Sequence, residues 1–114
     1  MNSIDYCPNF EKGNGLIVCI GVDWQSGEVL MHCDMDETAW QKTLAEKFLY
    51  SYSTSEQKTI KQGESSGNIM KIHGIEKLAC CDEDTDACVV KIEVLGTGKA
   101  CHTGNKSCFF DKVV

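Results

Sequence analysis

The chain has 114 residues, 42% hydrophobic and 25% charged, a balance that suits one globular domain over 1–114 and excludes a disordered or fibrous chain. Its net charge of −6 argues against nucleic acid or an anionic membrane as partner, because both reward cations. All eleven basic residues are lysine, so any anion is held without the bidentate guanidinium fork.

No apolar run approaches the ~20 residues of a membrane span. Met1–Tyr6 lacks the basic-then-apolar order of a secretory leader, so the chain is expected in the cytoplasm. Gly13-Asn14-Gly15 signals a turn. Leu16–Val22 is a continuous apolar run of strand length, expected to be buried on both faces. Asp23–Glu28 reads as a hairpin turn and Val29–Cys33 as the returning strand. Asp36 is a suitable N-cap with Glu37 in the first turn. Trp40, Leu44 and Phe48 recur at intervals of four and predict a helix over 37–48 with a buried aromatic face.

Leu49–Ser53 suggests a further strand, and Lys58–Gln62 is ambiguous. Ile69–Ala79 is a strand candidate with a bulge at Gly74. Cys88–Leu95 is the clearest strand, with Val90, Ile92 and Val94 on one side and Lys91 and Glu93 on the other. Short strands and one main helix predict an α+β domain with a mostly antiparallel sheet.

Eight cysteines allow a framework of four disulfides, which the missing leader disfavours. Cys19, Cys33 and Cys88 sit in apolar runs and read as small buried hydrophobes. Cys7, beside Pro8, carries no signal, and Cys80, Cys81, Cys101 and Cys108 remain for chemistry. Cys101, His102 and Cys108 fall within one short stretch, and Gly104-Asn105 lets the chain fold back to bring both sulfurs together. Two thiolates make an incomplete zinc site, and Cys80-Cys81-Asp82-Glu83-Asp84-Thr85-Asp86 is the place to seek the rest. Asp82, Asp84 and Asp86 alternate, so an extended segment puts their carboxylates on one side, where a hard cation such as magnesium would relieve their repulsion. A solvated acidic turn is the plain alternative. Gly63-Glu64-Ser65-Ser66-Gly67-Asn68 is a glycine-bounded loop able to offer N–H and hydroxyl donors to a phosphate, or simply a connection.

Ala100-Cys101-His102-Thr103-Gly104 with Ser107-Cys108-Phe109, and the loop Gly63–Asn68, resemble the signatures of the phosphoribosyl-AMP cyclohydrolase family, and the likeness runs from about Phe10 to the end. The resemblance implies a cytoplasmic homodimer of histidine biosynthesis with its active sites at the subunit interface, zinc on three cysteines and magnesium on an Asp-Cys-Asp-x-Asp segment. It implies hydrolysis of the adenine ring at N1–C6 of a purine nucleotide, with His102 as proton carrier or as a group that orients Cys101. The zinc ligands would be Cys81, Cys101 and Cys108, and the magnesium ligands Asp82, Asp84 and Asp86. Glu64, Ser65, Ser66, Gly67, Asn68, Thr103 and Lys106 would contact substrate.

Two registers of the acidic segment stay open. One keeps a thiolate at Cys81 and puts Cys80 in place of the first aspartate; the other puts Glu83 where the thiolate belongs. Ser53-Thr54-Ser55-Glu56 stands where the family carries Ser-Arg-Ser-Arg, with Lys58, Lys61 and Lys106 as point charges nearby in sequence or motif. Two lost arginine contacts at ~1.5–3 kcal/mol each amount to roughly 3–6 kcal/mol. The competing readings are a diverged metal- or nucleotide-binding member without catalysis, and a hydrolase of a less phosphorylated substrate.

Overall fold

The computed structural model describes residues 8–11, 14–77, 86–101 and 103–114. In these the chain forms β1 (Ile17–Asp23), β2 (Val29–Met35), α1 (Glu37–Glu46), β3 (Tyr50–Ser53), β4 (Lys58–Lys61), β5 (Met70–Lys77) and β6 (Ala87–Val94). Four strands make one sheet in the order β2-β1-β6-β5, and β3 and β4 pair separately as a hairpin. The expected α+β domain is observed. Pairing is antiparallel for β1/β2, β3/β4 and β5/β6, and parallel for β1/β6. A parallel neighbour requires a long connection, here β2, the helix, the hairpin and β5.

Side chains alternate across a strand, and the register decides which share a face. Ile17 and Cys19 of β1 lie level with Met35 and Cys33 of β2, while Cys88 of β6 lies level with Cys19. These residues, with Val90, Ile92 and Met70, are buried against Ala39 and Trp40 of α1 and Leu49. The opposite face is more open. Val18 is 46% exposed and Val29 43%, so β1 is not buried on both sides as its apolar run suggested. A short apolar run does not by itself distinguish a strand covered twice from one covered once.

Asp36 caps α1 as expected, its Oδ1 accepting the Ala39 N–H at 2.8 Å. The helix ends at Glu46 rather than 48. Lys47 turns into the left-handed region at φ 65° and donates its N–H to the Thr43 carbonyl at 3.0 Å, while the Thr43 hydroxyl accepts the Tyr50 N–H at 3.0 Å. Phe48 therefore leaves the helix and bridges to Lys71 of β5. The buried helical face is Ala39, Trp40 and Thr43, with Leu44 half-buried beside it.

The bulge expected in β5 is present. The register shifts between Ile72 and Gly74, turning His73 out to stack on Trp24 at 3.9 Å between ring centroids and to meet Glu93 at 2.9 Å. The five described cysteines are free thiols. Cys33, Cys19 and Cys88 form a row across three neighbouring strands, and the contacts of Cys19 with Cys33 and then Cys88, together with burial, hold its thiol well above the ordinary value.

Tyr50 gives a test of the helix-to-hairpin link. Its hydroxyl donates to Glu46 Oε1 at 2.6 Å, and that carboxylate pushes the phenol up to about 12. The folded value lies above the unfolded value of about 10, so this link stabilises the fold fully below pH ~10 and is lost as pH rises towards 12. Tyrosinate absorbance should show one phenol ionising near pH 12, absent in Tyr50→Phe. Identical titration curves for both proteins would refute the assignment.

Candidate active site

A cleft of about 810 Å³ opens between the β3–β4 hairpin, the glycine-bounded loop, β2 and the segment after β6. Its walls include His32, Glu56, Lys58, Ser65, Ser66, Asn68, Lys99, Cys101 and Cys108.

The loop after β4 closes on itself at Gly63. With φ at 79°, a Cβ there would overlap the Asn68 carbonyl, so only glycine fits. Ser66 Oγ donates to the Gly63 carbonyl at 3.3 Å and accepts the Asn68 N–H at 3.2 Å. The Asn68 amide then clamps the distant segment: Nδ2 donates to Thr97 Oγ1 at 2.9 Å and to the Lys99 carbonyl at 3.1 Å, and Oδ1 accepts the Thr97 N–H at 3.0 Å. Gly96 makes this approach possible, since a Cβ at that position would strike Asn68 Oδ1.

The cysteine segment folds back as its turn residues predict. Ala100 and Cys101 donate their N–H groups to the Lys106 and Asn105 carbonyls at 3.0 and 3.2 Å, and Gly104 donates to the Cys101 carbonyl at 3.0 Å. Two anchors then pin the returning arm to β2. Ser107 Oγ donates to the Val29 carbonyl at 2.7 Å, and the Cys108 N–H donates to the Leu30 carbonyl at 2.6 Å. Cys101 and Cys108 thus share one wall of the cleft.

The two thiols are not equivalent. Asn105 Nδ2 donates to Thr103 Oγ1 at 2.9 Å, which leaves the Thr103 hydroxyl proton for Cys101 Sγ at 3.0 Å. That hydroxyl, then the Thr103 backbone N–H, hold the Cys101 thiol below the ordinary value, with Cys108 adding less. Desolvation of its sulfur and the neighbouring Cys101 hold Cys108 above it. The thiolate is the ligating form, so Cys101 would be the readier of the two to bind a metal. Among the described residues no three His, Cys, Asp or Glu side chains converge as a metal site. The donor chemistry fits zinc, for which Cys101 and Cys108 would supply two ligands of a larger set.

Other expected site residues fall as follows. Glu64, Ser65, Ser66 and Asn68 line the cleft, while Gly67 packs beside Gly96. Thr103 serves Cys101, and Lys106 pairs with Glu28 at 3.1 Å, away from the cleft lining. Asp86 is half-buried just before β6, its carbonyl accepting the Val18 N–H at 3.0 Å, and does not line the cleft. Cys81, Asp82, Asp84 and His102 lie outside the described residues, as do Cys80 and Glu83. His32 and Thr97 reach the cleft without having been candidates in the sequence, and Lys99 reaches it without having been singled out from its stretch. Only Lys99 carried a signal, by directly preceding Ala100-Cys101.

Among the described residues no helix is long and apolar enough to cross a membrane. The sequence profile of the phosphoribosyl-AMP cyclohydrolase family matches residues 31–110. The chain is 43% identical over 106 residues to the phosphoribosyl-AMP cyclohydrolase of Desulforapulum autotrophicum, covering 93% of this chain and 81% of that protein. It is 40% identical over 113 residues to that of Listeria innocua, covering 99% and 96%. With that of Methanococcoides burtonii the identity is 45% over 101 residues, covering 89% and 78%. The matched span holds every side chain of the cleft wall, from Met31 to Cys108, and the chain is a member of the phosphoribosyl-AMP cyclohydrolase family.

Proposed function

We propose that the protein hydrolyses the N1–C6 bond of the adenine ring of phosphoribosyl-AMP, or of a related purine nucleotide, the ring-opening step of histidine biosynthesis. The observation that carries this reading is the cleft in which the two-cysteine loop faces the glycine-bounded loop, all within the span matched by the family. Cys101, Cys108 and a third ligand, Cys81 in the preferred register, would hold zinc. Zinc when bound supplies an activated water near neutral pH. Asp82, Asp84 and Asp86 would hold magnesium.

This chain's residues divide the remaining work. Thr103, held by Asn105, favours ionisation of the Cys101 thiol. Ser65 lines the cleft as a donor to a substrate phosphate, Ser66 holds the loop closed, and Asn68 fixes the far wall that carries Lys99. His102 would carry the proton from water to the departing ring nitrogen.

Asp86 bears on assembly. Its backbone is fixed beside Val18, whereas Cys108 hangs on Leu30, and Leu30 to Asp34, the partner of Val18, is four strand residues or about 13 Å. Within one chain the described carboxylate and the two thiols are therefore apart. A homodimer that brings the acidic segment of a second copy to this cleft would join them.

Zinc-loaded protein with magnesium should convert phosphoribosyl-AMP to the ring-opened product with about one zinc per chain. Chelation should abolish turnover, and zinc should restore it. Full zinc occupancy without turnover would favour a non-catalytic member that binds metal and nucleotide.

A further inference from the structure

The charges lining the cleft are unevenly available. Lys61 Nζ sits 4.6 Å from the centroid of the Phe48 ring, and Lys58 Nζ lies 3.4 Å from Glu56 Oε1. Lys99 makes no ion pair among the described residues. Its carbonyl is gripped by Asn68, which places it on the wall beside the Ser65-Ser66 loop.

The hairpin separates these groups. Glu56 and Lys58 are at its tip, where the Glu56 N–H donates to Ser53 Oγ at 3.2 Å and Gln57 takes φ 54° to close the turn. The glycine-bounded loop begins at its base. Lys58 to Gln62 is four strand residues, or about 13 Å, so the cleft has two ends that different parts of an elongated ligand would meet. The base end offers Ser65 and, in Lys99, an ammonium with no ion pair among the described residues, beside the Glu64 carboxylate. The tip end offers a lysine whose charge is already met by a carboxylate.

We propose that Glu56 is a specificity-determining residue: by meeting the charge of Lys58 at the hairpin tip, it leaves the cleft to anchor a purine nucleotide through one phosphate at Lys99 and to hold a second phosphate weakly. An exposed ion pair is weak enough for a phosphate to displace, but the displaced Glu56 carboxylate then faces the incoming dianion. Singly phosphorylated purine ribonucleotides are thus expected to bind as well as doubly phosphorylated ones. The inference rests on the nucleotide reading of the cleft and refines which part of the ligand supplies affinity.

Calorimetric titration of the zinc-loaded protein with adenosine, AMP and phosphoribosyl-AMP tests it. The wild type should bind AMP about tenfold tighter than adenosine, and phosphoribosyl-AMP no more than about threefold tighter than AMP. Lys99→Gln should bring AMP down to the adenosine level, and Lys99→Arg should restore it. Glu56→Gln should tighten phosphoribosyl-AMP by about tenfold while AMP stays within about twofold. An equal gain for both nucleotides in Glu56→Gln, or an unchanged AMP-to-adenosine ratio in Lys99→Gln, would overturn the proposal. Failure of all three ligands to bind the wild type would overturn it together with the nucleotide reading. AMP binding that follows the expected pattern in a protein without turnover would uphold it while removing only the catalytic reading.

Discussion

Cys101→Ser should lower kcat/KM by at least ~10³-fold. Groups that merely orient a metal ligand cost 10–100-fold when removed, so loss of the ligand itself should cost more. Of the two thiols in the cleft wall Cys101 is the readier to ionise, since the Thr103 hydroxyl and N–H favour its ionised form. Serine is nearly isosteric and keeps the turn bonds, because the Asn105 and Gly104 contacts use only the Cys101 backbone. The melting transition of the metal-free protein should therefore stay close to that of wild type while zinc stoichiometry falls. Cys88→Ala supplies the contrast: Cys88 is buried in the sheet, so that variant should lose stability and keep its zinc. Normal turnover in Cys101→Ser would remove the two-cysteine loop from the chemistry.

The second large effect is expected at Gly63. Alanine there faces a left-handed backbone at φ 79° and a clash with the Asn68 carbonyl. The conformational penalty is about 1–2 kcal/mol. Displacing Asn68 also loses its bonds to Thr97 and Lys99, at about 1 kcal/mol each. With three such bonds, a total loss of about 4–5 kcal/mol is expected, read as a lower urea midpoint, together with weakened nucleotide binding as Lys99 swings free. Gly67→Ala is the control. Its φ is 81° but its Cβ would meet open space, so only the conformational penalty of about 1–2 kcal/mol should appear. Equal midpoints for the two variants would show that the loop closes without the Gly63 contact.

The parts of this structure that were legible in the sequence are those set by neighbours along the chain. Asp36 announced the start of α1 because an N-cap needs only the next three residues. Gly104-Asn105 announced the fold-back of the cysteine segment, and the β5 bulge was marked by its glycine. The end of α1 was hidden because it depends on the Thr43 hydroxyl reaching Tyr50, seven residues on. The parallel pairing of β1 with β6 was hidden because it joins residues far apart in the chain, and alternating patterns do not name their partners. In the cleft, the cysteines and the glycine-bounded loop were visible as motifs. The clamp from Asn68 to Thr97 and Lys99 was not, since it spans 29 to 31 residues through one side-chain amide. That is why Lys99, which that clamp puts in the cleft wall, was legible only as part of the cysteine stretch and not as a cleft residue.

The bonds from Ser107 and Cys108 to Val29 and Leu30 have a consequence apart from chemistry. β2 is an outermost strand, and these bonds occupy carbonyls that would otherwise be open to another strand. An open strand edge is a template for edge-to-edge growth between molecules. The cysteine arm is therefore also a guard rail on the sheet. Any condition that frees the arm from β2 leaves the protein stickier as well as less active, and the first visible sign would be loss of monodispersity.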